Sequence, residues 1–401
     1  MKVLTINTGS SSLKYRLSDP SEETVLASGL IERIGTDSSA VTLESAGMTT
    51  SHELEIPDHR RAFKVMIDLL TGPDSGVIGG IDEVDAVGHR VVHGGDRFYE
   101  SAEITDEVQE AIREFQDLAP LHNPINLLGI EIAKELLPGI PHVAVFDTAF
   151  HQSMPETAYL YAIPYRMYRE NRIRKYGFHG TSHRYVSRRA ASLLDLPLKR
   201  ARMVTCHLGN GCSVAAVDGG RSIDTSMGFT PLEGLVMGTR SGDLDPSIVF
   251  FLVNKRGYRL AEVEDILNRK SGILGISGIS NDVKTVLEAA KGGDNRASLA
   301  LEIFAYRVKK YIGAYIAILE GLDCLVFTAG IGERSPDLRR MICDDLGHLG
   351  IRLDPDLNQR CVAEEMVISP EGSGVKVVVV PTDEEEVIAQ ETYRIASEER
   401  E

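Results

Sequence analysis

Two strand–turn–strand segments, one in each half of the chain, most constrain what this sequence can fold into. The first runs from Val3 to Leu17 around the small polar turn Asn7–Ser12, and the second runs from Met203 to Val217 around His207–Gly211. Such turns let backbone N–H groups approach an anion such as phosphate, although either segment alone is equally consistent with a plain hairpin turn. The repetition predicts a duplicated domain, with a cleft between the halves and a phosphate-handling turn on each side.

Composition and charge narrow the class of protein. The 401 residues are enough for two or three domains, and 43% hydrophobic with 25% charged residues is typical of a soluble globular enzyme. A net charge of −16 argues against nucleic acid or an anionic membrane as a partner, and no apolar run is long enough for a membrane span. The N-terminus enters a strand rather than a signal peptide. Five scattered cysteines without CxxC or metal-ligand spacing fit a reducing cytoplasm.

Predicted strands alternate with predicted helices along both halves of the chain. In the first half, the helical pattern Asn126–Leu137 lies between the apolar strands Ala86–Val92 and His142–Phe146. This alternation favours an α/β fold that binds ligands at the carboxyl ends of its strands.

Three segments of the second half carry more specific expectations. Asp224–Pro246 contains four glycines and is predicted to be a mobile loop outside the core. The segment Ala329–Arg334 is predicted to be a glycine-rich loop between a strand and a helix, with Ser335 as the N-cap of that helix. Thr382 and Glu385 have the spacing of a capping box at the start of the terminal helix.

Three cationic or polar residues are candidates for binding a migrating phosphate. Arg90 stands in an apolar strand, where an unpaired guanidinium would be costly, so it should meet an anionic ligand or form a structural ion pair. Arg240 lies in the glycine-rich segment, where a surface salt bridge to a nearby aspartate is the alternative. His179 precedes a predicted helix between glycines, which suits either an anion site or a structural role.

Carboxylates supply the remaining candidates. Asp147 follows a strand and could act in the chemistry or cap the next turn. Glu384 could bind Mg²⁺ together with Asn7, because magnesium takes one or two protein oxygens plus substrate phosphates, or it could complement the helix dipole. The chain has no GxxxxGK[ST] P-loop and no kinase HRD or DFG set, so a phosphotransferase here must use another scaffold.

Several long motifs resemble those of the acetokinase family. The segments Val3–Tyr15 and Tyr176–His183 are similar to its signatures, and the resemblance extends over His89–Gly95, the His207 turn, Gly238–Asp243 and Pro381–Glu385. The resemblance implies the duplicated α/β fold of sugar kinases, actin and heat-shock chaperone ATPases. It also implies an interdomain active site, a cytoplasmic homodimer and the reversible, Mg²⁺-dependent conversion of acetate and ATP into acetyl phosphate and ADP, with Mn²⁺ as an alternative metal.

The resemblance assigns a role to each matching position. Asn7 and Glu384 would hold the metal, Asp147, His179 and Arg240 would be catalytic, and the acid would contact Arg90, Val92, Leu121 and Pro231. The nucleotide would contact Lys14, His207, Leu208, Gly209, Asn210, Gly211, Asp282, Val283, Lys284, Gly330, Ile331, Gly332, Glu333 and Arg334. The domains would be residues 1–150, on the acid side, and 151–384, on the nucleotide side, with a terminal helix 385–401 packing on the first.

Four positions depart from the pattern usual in that family. Lys284 replaces an arginine, Arg334 an asparagine, Ala329 a glycine and Asp383 an asparagine. Lys284 cannot offer a planar surface to a purine, and Arg334 only donates hydrogen bonds. We therefore predict poor discrimination between ATP and GTP, with pyrophosphate as a less favoured donor.

Two other functions compete with acetate phosphorylation. A propionate or butyrate kinase would use the same scaffold. A non-catalytic actin-like ATPase would keep the nucleotide loops but not the combination of Arg90, His179 and Arg240.

Overall fold

The computed structural model describes residues 1–72, 77–120 and 122–398 and divides the chain into two units. The first unit comprises Met1–Ala149 together with the C-terminal segment from Asp383, and the second comprises Phe150–Thr382. Asp383 and Glu384, which the sequence analysis assigned to the second domain, thus lie in the first unit.

The first unit is built on one mixed sheet. Its strands follow the order β5-β4-β3-β2-β1-β6-β8-β7. The antiparallel meander β1–β5 adjoins parallel β6 and β8, and β7 returns antiparallel at the edge. The bounds are β1 Val3–Thr8, β2 Ser12–Asp19, β3 Thr24–Glu32, β4 Ser39–Ser45, β5 Met48–Leu54, β6 Ala86–Val91, β7 Ala102–Glu103 and β8 His142–Phe146.

Helices cover both faces of this sheet because each has an apolar side. The helices are α1 His59–Thr71, α2 Asp106–Glu114, α3 Asn123–Leu136 and α15 Glu384–Glu398. Phe63 and Met66 of α1 join the core under β1–β4, while Ile388 of α15 packs on Val143 and Val145 of β8. At Gly88 of β6, an added Cβ would lie 2.6 Å from Ile388 Cγ2, so glycine permits the close approach of α15.

The second unit repeats the sheet of the first. Its strand order β11-β10-β9-β12-β14-β13 matches β3-β2-β1-β6-β8-β7 position for position, including which pairs are antiparallel and which are parallel. The strands are β9 Arg202–Leu208, β10 Cys212–Asp218, β11 Arg221–Thr225, β12 Cys324–Thr328, β13 Met366–Val367 and β14 Lys376–Val379. The predicted hairpins and the predicted duplication are confirmed.

Helices make up most of the rest of the second unit. They are α4 Glu156–Tyr159, α5 Tyr165–Asn171, α6 Gly180–Leu193, α7 Ser247–Arg256, α8 Leu260–Arg269, α9 Gly272–Ser277, α10 Val283–Lys291, α11 Asn295–Leu319, α12 Ala329–Arg334, α13 Pro336–Cys343 and α14 Pro355–Arg360. Val186 and Ala190 of α6 pack on β9, β10 and β12. Within the described residues, no helix is long and apolar enough to cross a membrane.

Three local predictions need correction. The predicted loop Asp224–Pro246 begins with two residues that belong to β11, and residues 226–246 contain no helix or strand. Met227, Leu235 and Met237 are fully buried, so the segment belongs to the core of its unit. The predicted glycine loop Ala329–Arg334 is the short helix α12. The first turn of α15 is capped by Asp383, whose carboxylate accepts the Glu386 N–H at 2.9 Å, and not by Thr382.

Candidate active site

In the first unit, polar side chains lie where its parallel strands end. Asn7 stands near the end of β1, Arg90 near the end of β6, and Asp147 directly follows β8. Arg90 Nε and Nη2 donate to the two oxygens of Asp147 at 3.2 and 2.6 Å. Glu384, the first residue of α15, lies with one carboxylate oxygen 3.6 Å from Arg90 Nε.

Burial and charge compete at this cluster. Burial alone would lower the pKa of Arg90, but the Asp147 and Glu384 carboxylates reverse this and raise it, so the guanidinium stays charged. Burial raises the pKa of Glu384, while Arg90 acts in the opposite direction. The Arg90 side chain remains 22% exposed, so the protein does not enclose it completely.

Asn126 connects two of these strand ends. The Val92 N–H donates to Asn126 Oδ1 at 3.1 Å, and Asn126 Nδ2 donates to the Thr8 carbonyl at 3.0 Å. Val92 is 6% exposed. The amide therefore fixes the end of β6, with Arg90 and Val92, relative to the turn after β1. Leu121 lies outside the described residues.

A second set of ion pairs joins β2 to the start of α15. Lys14 Nζ lies 2.6 Å from a Glu385 oxygen, and Arg16 donates to both oxygens of Asp383 at 2.8 and 2.9 Å. The Lys14 side chain is half exposed. The sequence analysis named Lys14, and Glu385 only as part of a capping box. It did not predict these ion pairs, because they join positions far apart in the chain.

In the second unit, histidines gather around the β9–β10 hairpin. His179 immediately precedes α6 with a left-handed backbone (φ 57°), which is uncommon for a side-chain-bearing residue. Its ring stacks on that of His207, at the end of β9, with ring centroids 4.1 Å apart. His179 Nδ1 lies 2.9 Å from Ser213 Oγ on β10.

Buried hydroxyl groups contact both stacked histidines. His183 Nε2 lies 2.7 Å from the same Ser213 Oγ. His207 Nδ1 lies 2.8 Å from Ser182 Oγ, which also contacts the Thr382 hydroxyl at 2.8 Å. Sequence reasoning missed these partners, although Ser182 and His183 stand in the quoted Tyr176–His183 motif.

Arg240 lies beside the same hairpin. Arg240 Nη1 donates to the Pro231 carbonyl at 2.7 Å. A Cβ added to Gly211 would lie 3.1 Å from Arg240 Nη2 and 3.5 Å from His179. The turn, Arg240 and His179 are therefore neighbours. Burial lowers the pKa of Arg240.

The turn is also fixed from the glycine-rich segment. The Gly238 N–H donates to the Asn210 carbonyl at 2.9 Å, and Asn281 Nδ2 donates to Asn210 Oδ1 at 3.0 Å.

The carboxylate of Asp282 accepts from the backbone N–H groups of Lys284 and Thr285, so it caps α10. Lys284 is exposed.

The α12 segment contributes a buried carboxylate. Glu333 Oε1 accepts the Thr382 N–H at 3.0 Å and lies 3.4 Å from the Thr328 hydroxyl. Arg334 is exposed. Ala329 has a left-handed backbone (φ 62°), a conformation that costs a residue with a Cβ about 1–2 kcal/mol and that glycine adopts freely.

The candidate metal ligands of this site are oxygen donors. Within the described residues, no group of three or more His, Cys, Asp or Glu side chains is arranged to hold a metal ion. Asn7 and Glu384 offer hard oxygen donors, which suit a cation that takes most of its ligands from phosphates and water.

The repeated sheet defines a class: duplicated α/β proteins of the actin-like fold, with charged and hydroxyl side chains at the carboxyl ends of the parallel strands. A model of the acetokinase family matches residues 2–390. The chain belongs to the acetokinase family, and it is therefore a phosphotransferase with a carboxyl group as acceptor.

Relatives and solved structures agree with this membership. Curated acetate kinases of Halothermothrix orenii and Thermotoga maritima are 56% and 54% identical, and each alignment covers 98% of this chain and 99% or 98% of the relative. A crystal structure of Porphyromonas gingivalis acetate kinase matches with a TM-score of 0.94 at 47% identity, over 98% of this chain and 99% of that one. A propionate kinase from Francisella tularensis matches with a TM-score of 0.92 at 43% identity, with the same coverage.

Proposed function

We propose that the protein reversibly transfers the γ-phosphoryl group of ATP to acetate, giving acetyl phosphate and ADP. The names of the curated relatives support acetate as the acid, and the likeness to a propionate kinase supports a second candidate. The observation that carries the proposal is the Arg90 guanidinium, which pairs with Asp147 at the end of β8 and lies with its Nε 3.6 Å from a carboxylate oxygen of Glu384 at the start of α15.

Arg90 is suited to binding the carboxylate of the acid. A guanidinium has five N–H donors, and Asp147 uses two of them. The remaining donors match the two oxygens of an acetate ion. Asp147 holds the guanidinium in one orientation, which supports a positioning role for this carboxylate. Its predicted acid–base role stays a prediction.

Asn7 and Glu384 are the proposed ligands of Mg²⁺, with Mn²⁺ as an alternative. The metal would neutralise charge on the donor phosphates. Glu384 is oriented by its proximity to Arg90, and Asn7 contributes a neutral oxygen from β1.

The second unit supplies the proposed nucleotide side. The His207–Gly211 turn and the Gly330–Arg334 helix offer backbone N–H groups to phosphates. Lys14 keeps its proposed role as a nucleotide contact. His179 and Arg240, which adjoin that turn, would stabilise the negative charge that develops on the migrating phosphoryl group. The proposed reaction needs both sets of residues.

Val92 supports acetate over longer acids. Val92 is buried, stands two residues after Arg90 and donates its backbone N–H to Asn126, so little room for adjustment remains. Leu121 and Pro231 are the other proposed pocket residues. Propionate is the second candidate substrate, because each extra methylene changes transition-state binding by only about 1–3 kcal/mol.

A second copy of the chain is the proposed partner, in a cytoplasmic homodimer. Helix α7 has no buried residue, and Ile248, Phe250 and Phe251 are 44%, 65% and 48% exposed, which gives an apolar surface suited to self-association. Sedimentation of Phe250→Glu would test this: we expect a monomer, whereas Tyr99→Glu, at an exposed aromatic residue of the first unit, should leave a dimer. A monomeric unmodified protein would reject the proposal.

Trapping the product tests the proposed activity. The protein is incubated with ATP, Mg²⁺ and acetate, and acyl phosphate is converted to a hydroxamate. We expect hydroxamate from the unmodified protein and from Arg60→Ala, an exposed arginine paired with Glu135. Arg90→Ala should give little. ATP hydrolysis without hydroxamate would favour the actin-like ATPase class, which does not phosphorylate an acid. A higher hydroxamate yield from propionate than from acetate would favour a propionate kinase.

A further inference from the structure

A chain of three hydrogen bonds runs from β9 to His179. His183 Nδ1 lies 2.7 Å from the Thr205 hydroxyl, and His183 Nε2 lies 2.7 Å from Ser213 Oγ. The same Ser213 oxygen lies 2.9 Å from His179 Nδ1. Thr205, His183 and Ser213 are fully buried, so each of their polar groups needs a partner within the protein.

Counting hydrogens distinguishes three arrangements of this chain. In one, Thr205 donates to His183 Nδ1, His183 Nε2–H donates to Ser213, and Ser213 donates to His179 Nδ1. Reversing every bond makes Thr205 the acceptor, and its hydroxyl hydrogen then has no acceptor among the contacts of the described residues. In the third, Ser213 accepts from both histidines, and its own hydroxyl hydrogen has no acceptor among those contacts. A buried hydroxyl left without an acceptor costs about 1–3 kcal/mol, so the first arrangement is favoured.

The surroundings keep His183 in the neutral form that this arrangement needs. Burial lowers the pKa of His183 well below its usual value, and the neighbouring His151 and His207 lower it further. A neutral imidazole carries one N–H, so a bond donated from Nε2 leaves Nδ1 as an acceptor.

We propose that Thr205, His183 and Ser213 are positioning residues that hold His179 in its Nε2–H tautomer. With Ser213 donating to Nδ1, the proton of neutral His179 resides on Nε2, the ring nitrogen that then serves as a hydrogen-bond donor. This inference deepens the proposed function, because it rests on His179 donating to the migrating phosphoryl group. A donor aimed in advance at developing charge needs no reorientation during the reaction.

Other groups around His179 define the charge that its ring experiences. His207 stacks on it from β9, His183 contacts its serine from α6, and Arg240 faces it across Gly211. Arg240 therefore lies on the same side of the hairpin turn as the stacked rings.

Nitrogen NMR of ¹⁵N-histidine-labelled protein without ligands measures the tautomer directly. His179→Gln identifies the His179 signals by their loss. We expect the Nε2–H pattern in the unmodified protein at neutral pH. An Nδ1–H or imidazolium pattern there would overturn the proposal, whatever the enzymatic activity, so this outcome is distinct from failure of the proposed function.

Thr205→Val tests the chain from its far end, two residues away from any contact with His179. The variant removes the first donor, so we expect a mixture of His179 tautomers and a fall in kcat of about tenfold with unchanged KM, as if about one molecule in ten kept the donor. Ser213→Ala should have the same two effects. Thr205→Ser retains a hydroxyl, so it should keep the Nε2–H pattern of His179 and the kcat of the unmodified protein. The control Thr392→Val removes a buried hydroxyl that donates to the Ile388 carbonyl. It should change neither the His179 tautomer nor kcat. An unchanged His179 spectrum in both folded Thr205→Val and folded Ser213→Ala would contradict the proposal.

Discussion

Three side chains are proposed to direct positive charge or hydrogen bonds at the reacting groups. Replacing Arg90 by alanine removes the proposed contact to the carboxylate of the acid, and replacing His179 or Arg240 removes a group aimed at charge that develops in the transition state. We expect each variant to lower kcat/KM for acyl phosphate formation by about a hundredfold or more.

The matched controls are Arg60→Ala and Arg259→Ala, exposed arginines that pair with Glu135 and Glu262. Both should retain near-normal turnover, because surface ion pairs contribute little. A folded Arg240→Ala protein with normal kcat/KM would remove Arg240 from the proposed site.

Val92 provides a test of acid size at the same strand end. Val92→Ala would enlarge the proposed pocket, so the preference for acetate over propionate should narrow by about 1–3 kcal/mol in kcat/KM. The comparison needs initial rates with both acids for both proteins. A preference for propionate in the unmodified protein would contradict the acetate assignment.

At the residue level, the sequence indicated which charged residue needs a partner, but it did not indicate which residues from distant segments form hydrogen bonds with each other. Arg90 was expected to meet an anion or a carboxylate because it stands in an apolar strand, and it pairs with Asp147. Ser213 could not be connected with His179 in advance, because their contact depends on how β10 packs beside α6. Hydrogen bonds between distant segments follow from tertiary packing, which composition and spacing do not reveal.

At the scale of elements, the glycine-rich segment 226–246 positions Arg240 through a tight backbone. Gly242 has a φ of 68°, and an added Cβ would lie 2.3 Å from the Leu235 carbonyl oxygen. Gly257 has a φ of 77° with no atom within 4 Å of such a Cβ. Gly257→Ala should lower the free energy of unfolding by about 1–2 kcal/mol, the cost of a left-handed alanine.

Gly242→Ala should cost more than Gly257→Ala and should also lower kcat, because Arg240 is two residues away. Urea unfolding monitored by circular dichroism, with kinetics on the same samples, measures both effects. Equal losses of stability in the two variants, with normal kcat in each, would show that the segment does not need this close packing.

Helices α10 and α12 contain Lys284 and Arg334, the two departures from the family pattern that are proposed to affect base recognition. Lys284 and Arg334 are exposed, so neither is committed to the protein interior. We expect the kcat/KM values for ATP and GTP to lie within about tenfold of each other, or roughly 1.4 kcal/mol. Initial rates with both nucleotides at fixed Mg²⁺ test this.

The double variant Lys284→Arg with Arg334→Asn provides the matched comparison. It should increase the preference for ATP, since it restores a planar cation and a side chain that both donates and accepts. Strong ATP selectivity in the unmodified protein would show that these two positions do not read the base.

Element predictions succeeded where local pattern decided the structure and failed where packing did. The strand His142–Phe146 has its predicted bounds, since a continuous apolar run between turn residues leaves few alternatives. The segment 226–246 was expected outside the core because it is rich in glycine. Its apolar residues Met227, Leu235 and Met237 are buried by tertiary contacts that its local sequence does not encode.

At the scale of the whole molecule, buried neutral histidines make stability depend on pH. Burial lowers the pKa of His151 from 6.5 to about 4. Below pH 6.5 the unfolded chain binds a proton that the folded chain does not, so stability is complete above that pH and falls as the pH drops towards 4. The full loss from this residue is about 3 kcal/mol.

The variant His151→Gln removes this contribution. Urea unfolding at pH 7 and pH 4.5 should show a smaller pH dependence for the variant than for the unmodified protein, with His183 acting in the same direction in both. Equal dependence in the two proteins would mean that His151 is not held neutral.

The duplicated part of the fold could be predicted from the sequence because the same strand–turn–strand pattern occurs in both halves of the chain. Two similar hairpins predicted two similar sheets, and the strand orders agree throughout the repeated part. The added hairpin strands β4 and β5, which the second unit lacks among its described residues, had no counterpart from which duplication could be argued.

The central claim is that a carboxyl oxygen of acetate becomes bonded to the γ-phosphorus of ATP. Phosphorus NMR of a reaction with ¹⁸O-labelled acetate, ATP and Mg²⁺ observes this bond through the isotope shift of the product signal. We expect ADP together with an acyl phosphate whose phosphorus is bonded to one labelled oxygen. Formation of AMP and pyrophosphate, or of unlabelled inorganic phosphate alone, would contradict the account.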